Sequence, residues 1–191
     1  MRRGNGMVRA MGALLAASVS VTEGLLIMQG RWREAIPLHL CSVSAIAALF
    51  AAAGARGDTI DFLWYLGMPG AALALIFPAP AMSRCQGLFN AAYAATHLLI
   101  VLIPTVIIVQ GDRPKPRRAA RMMALLQGIA LLAFFTNEAI GTNFLFLSLP
   151  AAGTPLEALY AMGYPVYLLV LEGMMLLVCL VQSKTARWLT R

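Results

Sequence analysis

Long apolar runs separated by short polar turns dominate this chain of 191 residues. The runs predict helices over residues 11–28, 37–55, 60–77, 89–109, 119–140 and 162–181. Each run has roughly the 20 residues that a helix needs to cross the hydrocarbon core of a bilayer. The pattern therefore predicts an all-α polytopic membrane protein: a compact bundle of six transmembrane helices that forms a single domain over residues 1–191.

Three local features refine these elements. Pro37 is expected at the first position of the second helix, where its missing N–H costs nothing. The sequence Gly67-Met68-Pro69-Gly70 should kink or break the third helix, because proline removes an internal hydrogen bond. The longest connection, residues 142–160, has no lysine or arginine but many apolar residues. We expect that segment to lie in the interface or to fold back over the bundle.

Composition agrees with a membrane protein and adds an orientation. The chain is 60% hydrophobic and 12% charged, whereas a soluble protein has about 25% charged residues. Twelve of the fifteen lysine and arginine residues fall in the N-terminus, the C-terminus and the two loops predicted on the same side. Both termini should therefore be cytoplasmic. The net charge of +7 fits loops beside anionic lipid, and no nucleic-acid partner is expected.

The first helix has an alternative interpretation. A basic start followed by a short apolar run, with small residues around Ala17–Ser20, also describes a cleaved signal peptide. In that case five spans would remain and the orientation of the C-terminus would not change. The apolar run resumes at Gly24 and continues to Met28, which favours a retained helix.

Polar residues within the predicted helices are concentrated in the outer half of the bundle. The inner half is predicted to be almost purely apolar. A charge in hydrocarbon costs roughly 2.5–3.5 kcal/mol on insertion scales, so such residues suggest a function. The outer-half residues are Glu23, His39, Cys41, His97, Asn137 and Glu138. Glu172, near the middle of the sixth helix, is the deepest acid and is expected to need an interior partner or a proton. The asymmetry predicts one site that opens to the outer leaflet.

Helix geometry sharpens the candidate chemistry. His39 and Cys41 are two residues apart, about 200° around a helix, so they do not share a face. His97 on another helix is the better candidate base, and its face continues through Tyr93 and Asn90. The positive end of the second helix would modestly favour a Cys41 thiolate. A thiol, an imidazole and a third polar group are the parts needed for covalent acyl transfer.

The cysteines suggest neither a metal site nor a disulfide framework. Cys41, Cys85 and Cys179 are widely spaced, and no CxxC or Cys/His metal spacing occurs. We therefore expect no metal and no cofactor. Two alternatives stay open: Cys41 is a small inert core residue, or it pairs with Cys85 in a disulfide on the outer side.

Several sequence motifs together resemble the YwaF-type family of bacterial integral membrane proteins. The motifs are Leu38-His39-Leu40-Cys41-Ser42, Gly67-Met68-Pro69-Gly70-Ala71-Ala72-Leu73, His97-Leu98-Leu99-Ile100-Val101-Leu102, Gly111-Asp112-Arg113-Pro114 and the stretch from Asn137 to Leu147. Their order and spacing fit from about Ile36 to Leu180. The resemblance implies an integral protein of the bacterial inner membrane with both termini inside.

The animal relatives of that family are described as acyltransferases that remodel ether phospholipids. The resemblance implies that Cys41 is the nucleophile and His97 the base of a phospholipid transacylase. Acyl-chain donor and acceptor lipids of the membrane would be its partners. His39, Asn137 and Asn143 are candidate oxyanion donors, with Glu23 and Glu138 as supporting polar groups. Tyr93, Asn90 and Glu172 are candidate substrate-binding residues.

Two other functions remain open on the sequence. A small lipid or solute transporter, or a lipid-binding protein, would use the interrupted third helix and Glu172. A membrane assembly subunit without chemistry would need neither Cys41 nor His97. The enzyme assignment is thus a hypothesis that depends on those two residues.

Overall fold

The computed structural model describes residues 2–78 and 85–189, with side chains from Gly6 onward. Arg84 and Arg191, which entered the charge count, lie outside the described residues. The helices are α1 (Arg2–Met28), α2 (Leu40–Ala53), α3 (Asp58–Phe62), α4 (Met68–Ile76), α5 (Gln86–Val109), α6 (Ala119–Ile140), α7 (Leu156–Ala161) and α8 (Tyr164–Leu189). The described part of the chain contains no strand, which confirms the all-α class.

Five helical stretches in the described residues are long and apolar enough to cross a membrane. They are Gly6–Met28, Asp58–Ile76, Gln86–Val109, Pro116–Ile140 and Tyr164–Leu189. The helix α2 has 14 residues, about 21 Å, which is short of a hydrocarbon core of about 30 Å. Five candidate spans are therefore established, and the sixth span and the cytoplasmic termini stay predictions.

The second helix begins later than expected. Residues 31–38 form turns, with Glu34 N–H donating to the Arg31 carbonyl and Leu38 N–H donating to the Ile36 carbonyl. The helix starts at Leu40, after an extended N-cap residue, His39. The prediction that Pro37 occupies the first helical position was wrong, because these turns already hold the backbone on both sides of the proline.

Small residues let α2 pack closely against its neighbours. A Cβ atom placed on Gly12 of α1 would lie 2.6 Å from the Cβ of Ala52, so the two backbones approach to a distance that only glycine allows. On another side of α2, Leu40 and Ser44 pack against Gly70 and Gly67. Close helix contacts of this kind are typical of membrane bundles, where van der Waals packing replaces the hydrophobic driving force between helices.

The third predicted span is interrupted where the sequence indicated. A π-helical turn, Leu63–Gly67, joins α3 to α4, and Pro69 lies at the start of α4. A π-turn inside a helix changes the local register and frees backbone groups, and it often marks a functional position. Its residues Leu63, Tyr65 and Leu66 are fully buried. The interruption is thus a packed part of the core rather than a flexible hinge.

The helices differ in how they meet their surroundings. The spans Asp58–Ile76 and Gln86–Val109 are half buried, whereas α6 and α8 are mostly exposed along their length. Their exposed side chains include Leu132, Phe135, Leu169 and Leu180. Such apolar side chains would be costly in water, at about 25 cal/mol per Å², and they suit contact with lipid.

The two ends of the bundle carry different polar structures. We call the end with residues 54–57 and 110–118 the inner end, and the end with residues 29–39 and 141–155 the outer end. At the inner end, Arg118 pairs with Asp58 and with Asp61, and Arg121 pairs with Asp58. Asp61 is 1% exposed. The expectation of an almost purely apolar inner half was therefore wrong.

Candidate functional site

The candidate nucleophile Cys41 is the second residue of α2. Its thiol is free and half-buried. His39 caps the helix with extended backbone angles and without a side-chain hydrogen bond. The N–H groups of Leu40, Cys41 and Ser42 therefore have no acceptor within the helix. Backbone N–H groups at a helix start are suitable donors for a developing oxyanion, and they were not considered as donors at the sequence level.

The side chain of His39 is directed into an aromatic cap rather than toward a reaction centre. Its ring centroid lies 5.1 Å from that of Phe144 and 5.7 Å from that of Phe146. Burial lowers the pKa of His39, and the nearby charge of Glu34 opposes this shift. The imidazole is thus held neutral between rings, which suits a packing role.

The side chain of Asn137 organises the segment that contains those rings. Its amide nitrogen donates to the Phe144 carbonyl at 3.1 Å, and its oxygen accepts from the Phe144 N–H at 2.7 Å and from the Thr142 hydroxyl at 3.0 Å. Asn143 closes the next turn by binding the backbone of Ser148 and Leu149. These contacts use the polar atoms that were predicted to stabilise an oxyanion. We call residues 141–149 the outer cap.

The outer cap holds an unusual backbone. Leu145 and Phe146 have φ angles of 56° and 55°, a region that costs roughly 1–2 kcal/mol per residue with an L side chain. The Tyr167 hydroxyl donates to the Phe146 carbonyl at 2.6 Å. Strain of this kind persists only where surrounding contacts enforce it, and it occurs often at functional sites. The cap thus agrees with the predicted segment that folds back over the bundle.

The candidate base His97 is buried inside the helix bundle. Its Nδ1 atom lies 2.7 Å from the Tyr93 carbonyl, so Nδ1 carries the hydrogen and Nε2 is the nitrogen able to accept a proton. The rings of Tyr93 and His97 lie 4.0 Å apart. Asn90, predicted to continue this face, is exposed. Tyr93 and His97 therefore form one unit, and Asn90 lies outside it.

The structure does not pair Cys41 with His97. Both residues are described, and no hydrogen bond joins them. Two contacts show their relative depth: Gly12 meets Ala52, and the Thr96 hydroxyl donates to the Ser18 hydroxyl at 3.1 Å. The helix α1 runs antiparallel to both α2 and α5. Cys41 precedes Ala52 by eleven residues and therefore lies at the depth of residue 23 of α1, eleven residues after Gly12. His97 follows Thr96 by one residue and therefore lies at the depth of residue 17, one residue before Ser18. The depth difference is about 9 Å at 1.5 Å per residue.

The same count brings Glu23 and Cys41 to one level. Glu23 follows Gly12 by three helical turns, and Cys41 precedes Ala52 by the same number, so both lie on the facing sides of α1 and α2. The Oε2 atom of Glu23 is buried without a hydrogen-bond partner in the described structure. Glu23 is therefore the acid nearest in depth to the thiol.

The other predicted acids lie elsewhere. Glu138 is exposed. Glu172 accepts a hydrogen bond from Gln127 of α6, but this hydrogen bond is exposed, so the interior partner expected of this acid is not found among the described residues. Cys85 is exposed and Cys179 is buried, and both are free thiols, so the structure shows no disulfide between Cys41 and Cys85. No group of three or more potential metal-binding side chains occurs among the described residues.

Sequence reasoning missed the buried acid of the inner end. Asp61 accepts the Lys115 N–H at 2.7 Å and lies 3.1 Å from the guanidinium of Arg118, without hydrogen-bond geometry in the latter contact. The signal was present: Asp58 and Asp61 start a helix on the same membrane side as the basic turn before α6. Two acids one turn apart beside a basic turn predict ion pairs between those helix ends.

These features define an all-helical membrane protein with a thiol, an acid and a tautomerically fixed imidazole inside the bundle. The chain matches the TMEM164 family over residues 1–182 and belongs to that family. The narrower YwaF assignment stays a prediction. No curated protein shows significant similarity to the chain. No solved structure does so either.

Proposed function

We propose that this protein is a membrane-embedded phospholipid acyltransferase in which Cys41 carries the acyl group. The observation that supports this most directly is the position of the thiol at the start of α2. There, the backbone N–H groups of Leu40, Cys41 and Ser42 have no acceptor within the helix, and the half-buried thiol belongs to the same first turn. This turn follows His39, whose ring packs on the outer cap. Donors fixed in a site that excludes water are the usual means of stabilising an acyl-transfer oxyanion.

The proposed reaction has two half-reactions. The Cys41 thiolate attacks the ester carbonyl of a donor phospholipid, the carbon–oxygen bond breaks, and the departing lysolipid alkoxide takes a proton. The hydroxyl of an acceptor lysolipid then attacks the thioester, gives up its proton, and the thiolate leaves. The ester bond that was lost is regained on the acceptor, so no oxidant, metal or nucleotide is needed.

His97 is the proposed base, because Nε2 is the nitrogen able to accept a proton. The depth difference of about 9 Å excludes a direct proton transfer from Cys41 in this arrangement, so the start of α2 has to shift along the bundle axis, toward the inner end, in the substrate complex. Catalytic hydrogen bonds often form only in the substrate complex. The turns before α2 are the element that permits this movement, whereas Glu23 is already level with the thiol.

An acyl-exchange assay tests the proposal. Purified protein is mixed with a donor phospholipid and a labelled lysolipid, and the labelled diacyl product is measured by mass spectrometry. We expect Cys41→Ala to lose at least 100-fold in rate and Cys179→Ala, a change at another buried thiol, to retain exchange. Full exchange by correctly folded Cys41→Ala protein would rule the function out.

The identity of the base is tested separately. The rate at which a maleimide alkylates Cys41 reports the thiolate fraction. If His97 is the base, His97→Gln slows both alkylation and exchange, and Glu23→Gln has a smaller effect. The opposite ranking would assign proton transfer to Glu23 and leave the role of Cys41 unchanged.

A further inference from the structure

An apolar cleft lies between α4, α5 and α8, away from Cys41. Its volume is about 480 Å³, and it is lined by Met68, Pro69, Ala72, Val101, Val181 and Gln182 among others. The lining contains one polar side chain, that of Gln182. A cleft of this character, open on the lipid-facing side of a bundle, suits an acyl chain better than a polar solute.

The lower boundary of the cleft is fixed by a reciprocal pair of hydrogen bonds. The Trp64 indole donates to the Gln182 carbonyl at 3.2 Å, and the Gln182 amide donates to the Trp64 carbonyl at 3.1 Å. Residues 64 and 72 thus mark its two ends on one helix, about 12 Å apart along the axis. The cleft begins in the half of the bundle nearest the inner end and extends to Ala72, past the middle of the span Asp58–Ile76.

Exposed positive charges lie next to that boundary. Lys184 follows Val181, which lines the cleft, by three residues, so the two are neighbours on one face of α8. Lys184 is exposed, as are Lys115 and Arg117 of the turn before α6. The Ser183 and Tyr65 hydroxyls contact the Pro116 carbonyl, which brings this turn against α8. None of the three cations has an ion pair among the described residues, whereas Arg118 and Arg121 are paired with acids.

We propose that the cleft and these three cations form a binding site for an anionic phospholipid of the leaflet at the inner end. One acyl chain lies in the cleft along Ala72 and Val181. The phosphate and the anionic headgroup lie against Lys184, Lys115 and Arg117. Charge complementarity selects the ligand, because a basic residue near an anionic membrane surface contributes about 1 kcal/mol, or about fivefold in affinity.

Quenching of tryptophan fluorescence tests this site. Trp32→Phe and Trp188→Phe leave Trp64, beside the cleft, as the sole indole. The protein is placed in nanodiscs of phosphatidylcholine that contain either brominated phosphatidylglycerol or brominated phosphatidylcholine. We expect the anionic lipid to reach half-maximal quenching at a mole fraction several times lower than the zwitterionic lipid.

Two variants and one control separate the proposed site from general surface charge. Lys184→Gln should reduce the preference for the anionic lipid by about fivefold. Arg9→Gln, which removes one exposed charge from α1, should leave it unchanged. Ala72→Phe fills the cleft from an exposed position and keeps Trp64 as the sole indole, so it should weaken the quenching of Trp64 by the anionic lipid.

Each result decides the question. Equal quenching by the two lipids, or an equal loss of preference in Lys184→Gln and Arg9→Gln, would overturn the proposal. Unchanged quenching of Trp64 by the anionic lipid in Ala72→Phe would also overturn it, since the lipid chain would then not lie in the cleft. These outcomes are independent of acyl exchange at Cys41.

Discussion

The outer and inner ends of this bundle hold their polar groups in opposite ways. At the inner end, charged side chains pair with each other across helix termini, as Arg118 does with Asp58 and Asp61. At the outer end, neutral amides and rings hold a strained backbone, as Asn137 does with Phe144. The inner end thus resembles a structural clamp. Among the described residues, the outer end keeps Cys41 as a free thiol and the Oε2 atom of Glu23 buried without a hydrogen-bond partner.

The largest effect on stability should come from breaking the inner clamp. Asp61→Ala leaves Arg118 with only the exposed Asp58 and removes the acceptor of the Lys115 N–H, so we expect a loss of about 2–4 kcal/mol in unfolding free energy. Unfolding in detergent measures it. The control is Asp112→Ala, which removes an exposed pair with Arg56 and should cost about 1 kcal/mol or less. Equal losses would show that the buried pair is not a clamp.

The second-largest loss of stability should be confined to the outer cap. Asn137→Ala leaves the N–H of the buried Phe144 without a partner, which costs about 1–3 kcal/mol, and leaves its carbonyl with only the Leu147 N–H as donor. Hydrogen exchange over residues 142–149 should speed up strongly, with little change at the inner end. Glu138→Ala, at the exposed neighbouring position, is the control. Unchanged protection in Asn137→Ala would contradict the role of this amide.

Acid should loosen the outer cap through protonation of His39. Burial lowers the pKa of His39, so the folded state favours the neutral ring. Between the folded and unfolded pKa values of His39, the unfolded state binds more protons than the folded state. The stabilisation that the neutral His39 ring gives to the folded cap is therefore fully present above pH about 6.5 and is lost as the pH falls through the depressed pKa. Cap exchange should therefore accelerate on acidification, and His39→Phe should abolish that dependence. A pH profile shared by both proteins would exclude His39.

The smallest effect should come from relieving backbone strain. Leu145→Gly removes the cost of a positive φ angle, so its net effect on cap stability should lie within about 1 kcal/mol of zero. Gly141→Ala introduces the same kind of strain at φ 68° in open space and should destabilise the cap by about 1 kcal/mol. A loss of several kcal/mol in Leu145→Gly would mean that packing of the Leu145 side chain, rather than strain, determines this loop.

The lengths of the apolar runs predicted the long helices well, but they predicted the residues at which those helices begin and end poorly. The sequence indicated the helix interruption near Pro69, because proline acts locally through one missing hydrogen bond. It misplaced the start of α2 because turns at residues 31–38 depend on backbone contacts that no periodicity reveals. This error mattered: a helix from Pro37 would place His39 inside it, whereas the observed start makes His39 a cap residue packed on Phe144.

The candidate site was predicted only in part. Cys41, Glu23 and His97 were singled out because polar groups in an apolar run are rare. Their relative depth depends on which residues of neighbouring helices meet, and the contact of Gly12 with Ala52 determines this for α1 and α2. The inner clamp was missed because Asp58 lay in a predicted turn, and Asp61, at the start of a predicted helix, was not compared with the basic turn before α6. Such ion pairs are predictable only when the acids at each helix end are compared with the basic residues at the other helix ends on the same membrane side.

The most direct test of the account is to find which residue carries the acyl group. The protein is incubated with a donor phospholipid and no acceptor, digested, and each cysteine peptide is weighed before and after hydroxylamine treatment. We predict a fatty-acyl mass on the Cys41 peptide that hydroxylamine removes, absent in Cys41→Ala and retained in Cys85→Ala. An acyl mass on another residue, or acyl exchange without any thioester on Cys41, would contradict the account.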